Sequence, residues 1–198
     1  MFLYFVSARL GLPDARGPLL FLYFLCAITG VPLATWAARR VGKHRAWCYG
    51  MFAACAAFAP APLLPQGSLI GFGLICAATG LLLGFDLALP PAIQADVIDV
   101  DTEASGEQRS GTYFAAWSLA TKLSLASGVG LVFPSLAAFG FDPVTSPASG
   151  AGLTALAVAY AWVPIAAKLA SIAIMWNFPL DETAQRSLRA RIEAAHSG

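Results

Sequence analysis

The sequence predicts an all-α membrane protein: a helical bundle of five full spans preceded by a truncated first helix. Three observations predict it. Hydrophobic residues make up 58% of the 198 residues and charged residues only 12%, whereas a soluble domain is about 25% charged. Five apolar stretches are each long enough to cross a hydrocarbon core roughly 30 Å thick. The basic residues gather at the ends of those stretches rather than along them.

Residues 1–6 are apolar at once, with no basic leader and too short a run for a signal peptide. They read as the tail of a helix whose beginning is missing. A turn-rich connector, Gly11-Leu-Pro13-Asp14-Ala-Arg16-Gly17-Pro18, leads into the first complete span at about 18–37. Gly30 and Pro32 inside it are tolerable, because neighbouring helices in a bilayer repair the freed backbone groups. A basic cluster follows, Arg39-Arg40-Val-Gly42-Lys43-His44-Arg45. Span two covers about 46–64 and stops in a proline-rich link, Pro60-Ala-Pro62-Leu-Leu-Pro65. Span three, about 68–92, carries Gly80-x-x-x-Gly84, a spacing that lets a neighbouring backbone approach closely. A polar, mostly acidic loop is expected from Asp96 to Arg109, then span four at about 111–134. A Gly-, Pro- and Ser-rich loop, 135–152, precedes span five at about 153–178. The bundle thus occupies 1–178. In the tail, 179–198, Leu180, Ala184, Leu188 and Ile192 recur every four residues, the stripe of a short amphipathic helix lying on the membrane surface.

Loop charges set the orientation. With five crossings, the 38–45 loop, the 93–110 loop and the tail share one side, which holds eight lysines and arginines against Arg9 and Arg16 on the other. The positive-inside rule makes that side cytoplasmic, so the amino terminus lies outside and the carboxy terminus inside the cell (inner) membrane. A net charge of +1 and the lack of a basic aromatic platform speak against a nucleic-acid partner. The four cysteines, Cys26, Cys48, Cys55 and Cys76, show no metal-ligand spacing and read as small packing residues. No constellation for a metal, a cofactor or a catalytic nucleophile is visible, so the reading is not an enzyme.

Lys122 is the sharpest signal. It lies about twelve residues from either end of span four, where translocon scales put a lysine at roughly +2.5 to +3.5 kcal/mol. Trp117, Ser118, Thr121 and Ser124 lie near it on a helical wheel and make a polar stripe through mid-membrane. The stripe either lines a solute or ion path, or it buries a lysine against a fixed carboxylate with Ser and Thr joining helices. Asp86, in the inner third of span three, is a partner for Lys122 or Lys168, or a second ionisable group in the cavity. Lys168, near the middle of span five, reads as a snorkelling or structurally paired lysine.

Asp96 and Asp99, at i and i+3, resemble the metal-binding aspartates of membrane alcohol phosphotransferases, but those need a glycine directly after the second aspartate and Val100 stands there. An electrostatic gate is the better account. Asp96 or Asp99 would pair at the cytoplasmic face with Arg109 or with an arginine of the 39–45 cluster, Arg39 or Arg40, in one conformation only.

The run Pro91-Ala-Ile-Gln-Ala-Asp96-Val-Ile-Asp99-Val-Asp101, then Gly106-Glu-Gln-Arg109-Ser-Gly111, then Lys122 resembles the carboxy-terminal half of the glycoside–pentoside–hexuronide:cation symporters. These are the melibiose-carrier-like branch of the major facilitator superfamily. The segment from Pro32 to Arg45 resembles that superfamily's basic loop between helices eight and nine. The resemblance covers nearly the whole chain, as the end of helix seven and helices eight to twelve. It implies a two-bundle fold with alternating access, in which a sugar or related small solute moves with Na⁺ or H⁺. It also implies that Lys122 faces the central cavity, that Trp117 and Ser118 line the sugar pocket, and that an amino-terminal half-bundle is missing. Leu87 stands where sugar-transporting members present a tryptophan. The alternative is a non-transporting membrane scaffold or a degenerate remnant of a transporter.

Overall fold

A computed structural model describes residues 1–107, 109–141 and 150–178. The expected amphipathic tail lies outside the described residues. All regular structure within them is helical.

A short helix α1, Phe2–Tyr4, continues as a π turn, Phe5–Arg9. It is fastened to the link after the second span, where Arg9 Nη2 donates to the Pro62 carbonyl at 3.2 Å and the Gly67 amide donates to the Leu10 carbonyl at 2.9 Å. Four long helices follow: α2, Arg16–Val41; α3, Lys43–Phe58; α4, Leu69–Ser105; and α5, Ser110–Ala138. The last crossing is built in three pieces, α6 at Gly150–Ala157, a π segment at Val158–Trp162, and α7 at Val163–Met175. Five helices are long and apolar enough to cross a membrane.

Small residues set the closest packing. α2 and α4 meet where Gly30 faces Leu81 and Gly84, and where Gly80 faces Tyr23. A Cβ on Gly84 would come within 2.3 Å of the Gly30 carbonyl carbon, and one on Gly80 within 2.3 Å of the Tyr23 carbonyl oxygen. In hydrocarbon, where lipid tails are as apolar as leucine, such backbone-to-backbone approach supplies the dispersion that holds helices together. The Gly80-x-x-x-Gly84 spacing therefore does what it implied. Around this seam, Ala34, Ala46, Phe85 and Leu89 form one buried cluster. Phe5, Leu10, Leu19, Phe72, Ile75 and Cys76 belong to another, which seats the first turn against α2 and α4.

The structure departs from the expected acidic loop. Residues 93–105 continue α4 through Pro90-Pro91 as far as Ser105. Proline removes amide donors to the Asp86 and Leu87 carbonyls but does not by itself end a packed helix. The extension is held from outside. Asp96 is tied to α3, and Gln94 Nε2 donates to the Tyr113 carbonyl of α5 at 2.9 Å. Gly106, with φ of 71°, then ends the helix in the left-handed conformation, its amide donating to the Thr102 carbonyl.

Proline also shapes the last crossing. Pro164 cannot donate to the Tyr160 carbonyl four residues back, and the turn there widens so that the Val163 amide donates to the Val158 carbonyl, five residues back. α5 is the outlier. Of its 29 residues only Leu136, near its end, is buried.

Candidate functional site

Two charged constellations and one bare helix face stand out. The first constellation joins three helices. Lys168 Nζ on α7 donates to Asp86 Oδ2 on α4 at 2.5 Å, and the indole Nε1–H of Trp47 on α3 donates to Asp86 Oδ1 at 2.8 Å. Each oxygen of the carboxylate thus has its own donor. The pair is partly buried, the Lys168 and Asp86 side chains retaining 32% and 27% exposure. That exposure faces a cavity of about 400 Å³ between α2, α3, α4 and the last crossing. The cavity wall is mostly apolar, with Tyr23, Thr79 and Tyr160 as its other polar side chains.

The second constellation closes one end of the bundle. Lys43, the first residue of α3, places Nζ 2.6 and 2.7 Å from the two oxygens of the buried Asp96. Gly42, with φ of 87°, is the only residue between α2 and α3, and its backbone turns Lys43 back over the bundle. An arginine was expected to pair with Asp96; the ion pair seen here is with Lys43. Arg109 pairs with Glu107 at 2.9 Å on the exposed surface, and the Arg40 guanidinium lies 5.3 Å from the ring centroid of Trp36. Arg39 is exposed. The difference follows from the extension of α4. As a helix, residues 93–105 turn Asp96 inward toward α3, whereas a loop would have left it free to reach across the face.

On α5, Trp117, Ser118, Thr121 and Lys122 are all exposed. Thr121 Oγ1 donates to the Trp117 carbonyl and Ser124 Oγ to the Ala120 carbonyl, both at 2.8 Å, so these hydroxyls are satisfied within their own helix. Among the described residues Lys122 takes part in no ion pair. The structure does not bring Lys122 and Asp86 together. Asp86 chooses Lys168, and no α5 residue lines the cavity beside it.

A family model for "MFS/sugar transport protein" matches residues 1–182 of this chain. The chain belongs to that family. This MFS protein is therefore an integral membrane protein of a transporter family, whose members handle a small solute within a lipid bilayer. A comparison with curated proteins finds no match.

Sequence reasoning underrated one residue of this MFS protein and missed another. Lys168 was read as a snorkelling or structurally paired lysine, and it is paired, with Asp86. Lys43 was one basic residue among several. Trp47 gave no signal at all, because its value lies in meeting Asp86, 39 residues further on.

Proposed function

We propose that this MFS chain forms one half-bundle of a cation-coupled symporter that moves a sugar or related small solute by alternating access. The observation that carries the proposal is the bare face of α5. A lysine at the middle of an apolar span, unpaired and flanked by Trp117, Ser118 and Thr121, is costly against lipid. It is useful against a water-filled path between two bundles. The facing surface would come from an amino-terminal half-bundle. Lys122 then holds the charge balance of the path, Trp117 offers a ring face to a sugar, and Ser118 offers a hydroxyl. The melibiose-carrier-like resemblance of the Pro91–Gly111 run supports coupling to Na⁺ or H⁺.

In this reading the end carrying Arg39, Arg40, Lys43, Arg45 and Arg109 is cytoplasmic, as the positive-inside rule requires. The Lys43–Asp96 pair lies within the half-bundle and holds the end of α4 in place. Arg39 and Arg40, exposed on the same end, would be the groups that face a closing partner.

Uptake of a radiolabelled sugar panel tests this, using cells expressing the full-length gene product that carries this chain. Lys122→Ala, expressed at the wild-type level, should reduce cation-dependent uptake at least tenfold. Unchanged uptake with unchanged cation dependence would remove Lys122 from the path.

A further inference from the structure

The cavity beside Asp86 and Lys168 has a shape and chemistry of its own. Its α4 wall is a single stripe, Ile75, Thr79, Leu83 and Asp86, which at 1.5 Å per residue extends roughly 16 Å from Ile75 to Asp86. The cavity is thus a slot with one charged end, and its 400 Å³ falls within the roughly 300–1,000 Å³ of small-molecule sites. Phe58, Ile75 and Tyr160 contribute the apolar walls away from the ion pair. The slot is narrow in chemistry as well as shape: a free sugar placed there would leave most of its hydroxyls without partners, at a cost for each.

The charged end recognises a particular kind of head group. Asp86 and Lys168 together are neutral, so a ligand bringing a net charge into this low-dielectric end would leave that charge unbalanced. Hydrogen-bonding capacity remains there nonetheless. An ammonium has three N–H donors and a carboxylate about four acceptor sites. Among the described residues Lys168 uses one donor on Asp86, and Asp86 receives one bond on each oxygen. A single hydroxyl can accept from Lys168 and donate to Asp86 without breaking the pair.

We infer that this half-open slot, lined by the first turn, α2, α3, α4 and the last crossing, binds a small neutral amphiphile with an apolar body and one hydroxyl-type head seated on Asp86 and Lys168. The site goes beyond the solute path on α5 and stands apart from it. The π segment at Val158–Trp162, which carries Tyr160, gives that wall a wider turn, and an occupant would bear on the α3–α7 packing through Trp47 and Lys168.

The test is photolabelling of the reconstituted chain with a diazirine-bearing octanol, the adducts being mapped by mass spectrometry. Saturable labelling of Ile75, Cys76, Phe58 or Tyr160 is expected. Unlabelled octanol should displace it at least tenfold more effectively than octane, octanoate or octylammonium. Ala54→Phe, which fills the slot, should abolish the saturable component. The charge-free Asp86→Asn/Lys168→Met double variant should keep labelling but bring octanol and octane within about twofold of each other. Labelling that is unsaturable and spread over lipid-facing helices would overturn the inference. So would equal competition by octane in the wild type, or stronger competition by either charged probe. The wild-type competition series decides the matter even if Ala54→Phe does not fold.

Discussion

Removing either member of the Asp86–Lys168 pair should cost far more than removing both. Lys168→Met leaves an ionised carboxylate in the bundle with only the Trp47 indole as donor, and Asp86→Asn leaves an ammonium with no counter-charge. Stripping one partner from a fully buried pair costs about 3–5 kcal/mol. These side chains keep 32% and 27% exposure, which scales the cost of each single variant to about 2 kcal/mol on the same basis. The double variant Asp86→Asn/Lys168→Met has no uncompensated charge, and an amide can still accept from Trp47. It should be destabilised by no more than about 1 kcal/mol, giving a coupling energy of about 3 kcal/mol, at the upper end for directly contacting residues. The assay is reversible unfolding of the chain in mixed lipid–detergent bicelles, followed by far-UV circular dichroism. Wild type, two singles and the double form the cycle, with Lys122→Met as the control on an exposed, unpaired lysine. Additive effects, with the double as damaged as the sum of the singles, would refute the claim that the two charges neutralise each other in the folded bundle.

Three further outcomes follow from named contacts. Gly84→Ala, whose methyl would meet the Gly30 backbone at 2.3 Å, should destabilise the α2–α4 seam by about 1–3 kcal/mol in the same unfolding assay, as overpacking does; Gly128→Ala, with open space around it, should have no such effect. Trp47→Phe keeps a six-membered aromatic ring but withdraws the indole N–H and its hydrogen bond to Asp86 Oδ1, and should cost about 1–3 kcal/mol because a carboxylate oxygen is left underserved. Lys43→Met should loosen the end of α4 by cutting its tie to Asp96, read as faster proteolysis between residues 94 and 105; the charge swap Lys43→Asp/Asp96→Lys should restore protection, and its failure to do so would count against the ion pair as the restraint.

The architecture was legible early because the bilayer imposes one simple rule. Backbone groups in hydrocarbon must be satisfied within the chain, so five long apolar runs had to be five helices. The close glycine seam was legible for a related reason, since residues four apart share a helix face and their lack of side chains can be read directly. The acidic segment misled. Pro90-Pro91 followed by alternating carboxylates looks like a loop by local preference, yet the helix runs on because Asp96 and Gln94 find partners on α3 and α5. The candidate residues divide along the same line. That mid-span charges are costly could be read from their position, but which lysine Asp86 would meet depended on how α4 and α7 lie together.

What the sequence by itself determined, then, was the class, the crossings and the presence of three ionisable groups at membrane depth, because each follows from composition and spacing along one helix. Which groups pair, which lysine is left bare on α5 and where the slot opens were decided only by the tertiary structure. Those are relations between residues 39 to 82 positions apart, fixed by helix packing rather than by any local preference of the chain.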